Sequence, residues 1–207
     1  KTIKNFIFDC DGVLYADLEK VFGQVSKRMT EYISKKLNVD LKKAKALQTN
    51  YFHEYNTSLN GLMVHHKIDP YEFLEYVHDI NLNFLEKDLV LREELLKLNA
   101  KKIVFTNGSN DHVINITKHL GIDDLFDGSF DIVDCNFIPK PAIEPYEKLA
   151  KKFNINPKET VFIDDIAKNL EPAKKLGMKT VWLINNEYWS KKDSDKNFVD
   201  LKIIRLN

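Results

Sequence analysis

The chain has 207 residues, of which 43% are hydrophobic and 30% are charged, and its 31 basic residues balance 31 acidic ones. This composition supports a buried core, and zero net charge argues against a nucleic acid polymer as partner, because polyanion binding needs a clustered cationic excess. No apolar run approaches the ~18–20 residues of a membrane span. Only two cysteines are present, which suits a reducing compartment. We therefore expect a cytoplasmic protein that does not bind a membrane.

Short apolar runs recur along the chain and predict β-strands. They are rich in Val, Ile and Phe and lack polar alternation, which is typical of parallel strands covered on both faces. The runs are 4–9, 102–106, 130–134, 160–164 and 180–184, and an edge strand is expected within 201–206. Helical segments separate them, and two of these end at Gly121 and Gly177, where left-handed C-caps are favoured. The alternation predicts an α/β fold, a Rossmann-like doubly wound parallel sheet.

Residues 17–87 interrupt this alternation. They contain no strand-like run, and their apolar residues recur at helical spacing. Asp40 and the pair Asp69-Pro70 are typical of helix N-termini. We therefore predict a small α-helical cap domain inserted after the first strand. The predicted domains are an α/β core formed by 1–16 and 88–207 and a cap formed by 17–87.

Reactive side chains stand at or just beyond the ends of four predicted strands. They are Asp9 and Asp11 before Gly12, then Thr106-Asn107-Gly108, then Lys140 between two prolines, then Asp164-Asp165. Each motif alone is often structural, since an Asp-Gly turn or a helix N-cap uses the same residues. Their joint appearance is a stronger signal, because the carboxyl ends of parallel strands face one crevice.

Four carboxylates in one crevice would repel each other, at a cost of ~4 kcal/mol for a pair at 4 Å and an effective dielectric of ~20. A divalent cation removes this repulsion, and hard oxygen ligands favour Mg²⁺. Lys140 adds a further positive charge. The site then suits a phosphate dianion, held by Thr106 and by backbone N–H groups near Gly12 and Asn107.

The set Asp9-x-Asp11-Gly12, Thr106-Asn107, Lys140-Pro141 and Asp164-Asp165 resembles the four motifs of the haloacid dehalogenase superfamily. The resemblance spans nearly the whole chain, and the helical insertion resembles the type-1 cap of that superfamily. It implies hydrolysis of a phosphate monoester through an aspartyl-phosphate. Dehalogenases of the superfamily lack the second aspartate of the first motif, so the presence of Asp11 favours phosphate ester chemistry.

The resemblance also implies a role for each motif residue. Asp9 would be the nucleophile, and Asp11 would protonate the leaving oxygen and later deprotonate water. Thr106 would bind the phosphoryl group and Lys140 would neutralise charge on it and on Asp9. The Mg²⁺ ligands would be Asp9, the backbone carbonyl of Asp11, Asp165, and Asp164 either directly or through water.

The segment from Tyr51 to Lys67 resembles the cap of pyrimidine 5′-nucleotidases, which implies a nucleoside 5′-monophosphate as the small-molecule phosphate ester. Tyr51 and Tyr55 could stack on a base, although they could equally be core aromatics of a helical hairpin. Gly12-Val13 departs from the Asn-Thr of many members and recurs in sugar-phosphate members. The predicted substrate-binding residues are Gly12, Thr106, Asn107, Gly108, Tyr51 and Tyr55.

Two alternatives remain at this stage. One is a sugar-phosphate or phosphoglycolate phosphatase, or a phosphoglucomutase-like enzyme, of the same superfamily. The other is a phospho-acceptor receiver module, which also uses aspartates, a threonine and a lysine around Mg²⁺ but carries its acidic pair first. The six histidines lack the spacing of a zinc site.

Overall fold

The computed structural model describes residues 2–185 and 187–206, and six parallel strands form its sheet. The strands are β1 (Asn5–Phe8), β2 (Lys101–Phe105), β3 (Gly128–Phe130), β4 (Thr160–Asp164), β5 (Lys179–Leu183) and β6 (Leu201–Ile203). Their order across the sheet is β3-β2-β1-β4-β5-β6. The order reverses between β1 and β4, where a doubly wound sheet opens the crevice that binds its ligand. The predicted Rossmann-like fold class is confirmed.

Nine α-helices accompany the strands in the described part of the chain. They are α1 (Leu18–Leu37), α2 (Leu41–Tyr55), α3 (Ser58–His66), α4 (Pro70–His78), α5 (Leu89–Lys97), α6 (Asn110–Leu120), α7 (Ile143–Lys152), α8 (Leu170–Lys175) and α9 (Tyr188–Lys191). The expected caps are present, since the Asp40 carboxylate accepts the N–H of Lys43 and Gly121 ends α6 at a φ of 69°. No helix among these is both long and apolar enough to cross a membrane.

Successive strand residues point to opposite faces of the sheet, and both of these faces are buried. Phe8, Val104 and Ile163 belong to one hydrophobic cluster. Their neighbours Ile7 and Phe162 belong to a second cluster on the other face. This explains why the strands lack polar alternation in sequence.

Helices α1 to α4 follow β1 and pack mainly on one another. Their buried residues form a third cluster, which includes Ile33, Leu62 and Phe73 and reaches Ile132 beyond β3. A helical unit therefore stands where the cap was expected. The division of the chain into a core and a cap domain with the stated boundaries stays a prediction.

The run Phe130–Asp134 is a strand only at its first residue, because β3 ends at Phe130. The carboxylate of Asp131 accepts the backbone N–H groups of Val133 at 3.0 Å, Asp134 at 2.9 Å and Asn110 at 2.8 Å. A side chain that satisfies these N–H groups takes the place of a ladder partner, so the chain turns away from the sheet.

Candidate active site

Three carboxyl groups meet at the carboxyl ends of β1 and β4. Asp9 follows β1, Asp164 is the last residue of β4, and Asp165 comes next. The two strands pair in parallel with Phe8 beside Ile163, so they deliver these residues to one place. One oxygen from each carboxylate lies within 4.8 Å of the other two, and all three residues are buried.

Lys140 supplies positive charge to this carboxylate cluster. Its Nζ lies 3.0 Å from Oδ1 of Asp9 and 2.8 Å from Oδ2 of Asp164, and it donates to the carbonyl of Phe105 at 3.0 Å. The lysine is 2% exposed. Asn107 fixes its backbone, because Oδ1 of Asn107 accepts the N–H of Lys140 at 2.8 Å. The ammonium group is therefore held between two carboxylates without solvent.

Asp164 and Asp165 differ in how many hydrogen bonds their carboxylates accept. Asp164 also accepts the N–H of Ile166 at 2.8 Å and the side-chain amide of Asn169 at 3.1 and 3.2 Å. Asp165 accepts the side-chain amide of Asn185 at 2.9 Å. Asp165 therefore keeps more of its oxygen lone pairs available for a ligand.

Gly12 lies directly against Asp165. A Cβ atom on Gly12 would be 2.3 Å from Oδ2 of Asp165, and the residue has a φ of 77°. Both the left-handed backbone and the close approach require glycine. The predicted substrate role of Gly12 is therefore accompanied by a steric one, since a side chain here would displace the carboxylate.

The cluster holds more negative than positive charge, and the raised pKa values of its aspartates reflect this imbalance. Burial raises the pKa of Asp9 to about 7, although Lys140 opposes the shift, and Asp164 adds to it. Burial also raises the pKa of Asp165 well above its usual value, and Asp9 raises it further. One lysine does not compensate three buried carboxylates.

These residues fit a divalent metal ion. Buried carboxylate oxygens short of positive charge are the donor set that Mg²⁺ takes, and a dication here would stabilise their ionised forms. The cluster that could hold a metal consists of Asp9, Asp164 and Asp165. The carboxylate of Asp11 is not part of it and belongs to a second group with Cys10 and His112.

Asp11 is held by two donors on a single oxygen. Oδ1 accepts the hydroxyl of Tyr15 and lies 2.8 Å from Nε2 of His112. Burial alone would raise the pKa of Asp11, but His112 and Tyr15 lower it to about 2. The carboxyl group is therefore ionised before a substrate binds, and negative charge brought close to it would raise its pKa again.

The segment after β2 forms a compact loop beside Asp9 and Asp11. The backbone N–H of Gly108 donates to Oγ1 of Thr106 at 2.9 Å, and the N–H of Thr106 donates to the carbonyl of Phe130 at 3.1 Å. Thr106, Asn107 and Gly108 all line the cavity described next. The structure thus brings these three predicted substrate residues together with the aspartates.

A cavity of about 420 Å³ lies between the helical unit and the sheet. Its floor contains Asp9, Asp11, Thr106, Lys140 and Asp165. Its walls are largely apolar and include Leu18, Phe22, Met29, Phe52, Phe73 and Val77. The cavity therefore combines a charged floor with an apolar enclosure large enough for a small molecule.

Tyr51 and Tyr55 do not line this cavity, which corrects their expected placement. The Tyr51 hydroxyl lies 2.7 Å from Nε2 of His66, and the Tyr55 hydroxyl lies 2.6 Å from Nε2 of His65. Both histidines belong to α3. A Cβ on Gly61 would be 2.4 Å from the Tyr51 side chain, so α2 and α3 pack closely there. The next residues of α2, Phe52 and His53, line the cavity instead, since positions 51 and 52 of a helix point ~100° apart.

Three further residues near the floor were not predicted as site residues. Tyr15 and His112 contact Asp11, and His78 at the end of α4 stacks on His112 with ring centroids 4.4 Å apart. Burial, together with the neighbouring His112, lowers the pKa of His78 to about 3. Tyr15 could have been found from its position four residues after Asp11, beyond a turn. The histidines carry no sequence signal, because tertiary packing alone brings them there.

The family model for haloacid dehalogenase-like hydrolases matches residues 3–177. The chain belongs to this family. Phosphate metabolism protein 8 from Saccharomyces cerevisiae is 31% identical over 89% of the chain, which spans 63% of that protein. A glyceraldehyde 3-phosphate phosphatase from Methanocaldococcus jannaschii is 25% identical over 93% of the chain and 90% of its own length.

Solved structures share the fold of this hydrolase. A HAD phosphatase from Thermococcus onnurineus has a TM-score of 0.64 and 21% identity, covering 99% of this chain and 94% of its own. A β-phosphoglucomutase from Clostridium difficile has a TM-score of 0.62 and 21% identity, covering 100% of this chain and 92% of its own. These likenesses support the fold alone.

Proposed function

We propose that this hydrolase cleaves phosphate monoesters through an aspartyl-phosphate formed on Asp9. The observation that carries the proposal is the position of Asp9, whose Oδ1 is paired with Lys140 at 3.0 Å on the floor of the cavity. A carboxylate on a cavity floor, fixed by a buried cation, is placed to attack an electrophile above it.

In the first half of the reaction, a carboxylate oxygen of Asp9 attacks phosphorus and the bond from phosphorus to the ester oxygen breaks. Asp11 gives a proton to that oxygen, so an alcohol leaves. The phosphate dianion beside Asp11 raises the pKa of its carboxyl group, which allows it to carry this proton. The side chain of Lys140 and the loop Thr106–Gly108 stabilise the charge on the phosphoryl oxygens.

In the second half, water attacks the phosphorus of the aspartyl-phosphate. The carboxylate of Asp11 takes a proton from the water, the bond between Asp9 and phosphorus breaks, and inorganic phosphate leaves. Asp11 thereby regains the proton that it gave to the alcohol. Asp9 returns as a carboxylate paired with Lys140.

We propose Mg²⁺ as the cofactor, held by Asp9 and Asp165, with Asp164 and the backbone carbonyl of Asp11 as the remaining protein oxygens. When bound, the ion supplies charge that draws the phosphoryl group toward Asp9. The spare lone pairs of Asp165 favour it over Asp164 as a direct ligand, because Asp164 already has Lys140, Ile166 and Asn169.

For the substrate we propose a nucleoside 5′-monophosphate, with helices α1 to α4 acting as a cap over it. A flat apolar wall suits a base, and Phe22, Phe52 and Phe73 line the cavity. Thr49 of α2 and Asn56, directly after that helix, also line it and supply hydrogen-bonding groups. The second candidate is a sugar phosphate, which the name of the Methanocaldococcus jannaschii relative favours.

The decisive experiment measures phosphate release from a panel of nucleotides and sugar phosphates, in magnesium and in EDTA. We expect turnover that requires magnesium, is abolished in Asp9→Asn, and yields free phosphate rather than an isomerised sugar. Activity that persists in EDTA or in Asp9→Asn would refute the mechanism. Faster cleavage of sugar phosphates than of uridine or cytidine 5′-monophosphate would overturn only the choice of substrate.

A further inference from the structure

Asp11 has an unequal pair of carboxylate oxygens. Oδ1 accepts the Tyr15 hydroxyl and lies 2.8 Å from Nε2 of His112. Within residues 2–185 and 187–206, Oδ2 has no hydrogen-bond partner, and Asp11 lines the cavity. Two donors on one oxygen fix the plane of the carboxyl group and leave the other oxygen for the ester.

His112 is itself held in a fixed position. The residue is 1% exposed and its backbone N–H donates to Oγ of Ser109 at 3.3 Å, at the start of α6. The ring of His78 lies against it at an interplanar angle of 17°, and Nδ1 of His78 is 2.9 Å from the same Ser109 oxygen. The imidazole therefore has little freedom to leave Asp11.

Packing alone does not account for a histidine at position 112. Its Nδ1 is buried and has no hydrogen-bond partner among the described residues. A buried polar atom left unsatisfied lowers the stability of the folded state, so an apolar residue would pack here at lower cost. The contact that the ring does make, from Nε2 to Asp11, is what distinguishes it from a leucine.

We propose that His112 is a positioning residue that, together with Tyr15, orients Asp11 so that Oδ2 meets the leaving oxygen of the substrate. The inference rests on the proposed phosphatase function, because it assigns Asp11 the acid–base role. His112 does not touch the reacting atoms and acts only through Asp11. His78 keeps the ring in place from the helical side.

The test compares two substrates that differ in their need for a proton. An alkyl ester, uridine 5′-monophosphate or ribose 5-phosphate, requires protonation of its leaving oxygen, whereas 2,4-dinitrophenyl phosphate releases a stable anion. Its readout is kcat/KM, which covers only the steps through leaving-group release. We expect His112→Leu to lower kcat/KM for the alkyl ester about 10²-fold and for the dinitrophenyl ester by less than about threefold.

Two further variants separate positioning from a general structural effect. His112→Gln can place an amide donor near Oδ1 of Asp11 and should restore most of the alkyl-ester activity. In an Asp11→Asn background, His112→Leu should cause no further loss, because residues that act as a unit are not additive. His119→Leu, on the same helix with its ring bonded to the carbonyl of Asn115, is the matched control.

Equal losses on both esters, or additivity with Asp11→Asn, would show that His112 has only a structural role and would overturn the inference. Unchanged kcat/KM values in His112→Leu would overturn the inference as well. If that variant does not fold, His112→Asn, whose shorter side chain does not reach Oδ1, carries the same test. Cleavage of both esters by the wild-type protein keeps the proposed function intact whichever result is obtained.

Discussion

Gly12 and Asp165 are in direct contact, so that a single methyl group on residue 12 would overlap the Asp165 carboxylate. The distance from that Cβ position to Oδ2 is 2.3 Å, far below a normal contact. The two residues are 153 positions apart in sequence. The aspartate can reach the carboxylate cluster only because the first motif carries no side chain at this point.

We expect Gly12→Ala to lower activity at least about 10²-fold and to weaken magnesium binding, because it displaces a proposed ligand. Gly177→Ala is the matched control. Gly177 also has a positive φ, of 95°, but a Cβ there would meet only the Lys158 side chain at 3.4 Å. Calorimetric titration with magnesium and kcat/KM should separate the two, and equal behaviour of both alanine variants would contradict the steric explanation.

Lys140→Met should destabilise the protein by about 3–5 kcal/mol at pH 8, since it leaves buried carboxylates without their cation. Lys152→Met removes an exposed lysine that pairs with Asp134 at 2.7 Å and should cost less than about 1 kcal/mol. Urea unfolding of both variants measures the difference. A small loss in Lys140→Met would show that the carboxylate cluster does not depend on this ammonium group.

Asp9→Asn should stabilise the metal-free protein at pH 8 and have little effect near pH 4. Burial raises the pKa of Asp9 from 3.8 to about 7, so ionisation is disfavoured in the folded state. Stability is therefore lost as pH rises from about 4 to about 7, and the asparagine removes this loss. We expect a melting temperature at least about 3 °C higher at pH 8.

Asp124→Asn is the control for this experiment, because the pKa of Asp124 is shifted in the opposite direction from that of Asp9. Arg92 lowers the pKa of the exposed Asp124 carboxyl group, so its ionised form is favoured in the folded state. That contribution is present above the unfolded pKa and is lost as pH falls. Asp124→Asn should therefore not raise the melting temperature at pH 8, and a gain equal to that of Asp9→Asn would rule out the burial explanation.

Magnesium in large excess should raise the melting temperature of the wild-type protein by about 5 °C, because a ligand that binds only the folded state stabilises it. Asp165→Asn should lose most of this increase. Asp134→Asn, which removes a carboxylate outside the cluster, should keep it. Scanning calorimetry at matched ionic strength measures the three proteins, and an unchanged shift in Asp165→Asn would place the ion elsewhere.

Phe52→Ala should raise KM about tenfold or more for a nucleotide, because it removes an aromatic wall of the cavity. Tyr55→Ala should change KM by less than about threefold, since Tyr55 contacts His65 outside the cavity lining. Steady-state kinetics with uridine 5′-monophosphate distinguishes them. A larger effect from Tyr55 would restore the role expected from the sequence.

The ends of β1 and β4 were predictable because their apolar runs stop at aspartates, whereas the run 130–134 was wrong beyond Phe130. Asp9 and Asp164 meet as expected from the parallel pairing of β1 and β4. The phase of α2 was not predictable, since its packing on α3 through Gly61 decides whether residue 51 or 52 faces the cavity. The contact of His112 with Asp11 was not predictable either, because it depends on how α6 packs against the segment after β1.

The stacked rings of His78 and His112 join the last residue of α4 to the sheet side of the molecule. Any outward swing of α4 separates the rings. We expect an ester that fits within the cavity of about 420 Å³ to bind with the rings in contact, whereas a phosphorylated loop of a folded protein would require α4 to move away. The histidine stack thus links the position of α4 to the ring that contacts Asp11.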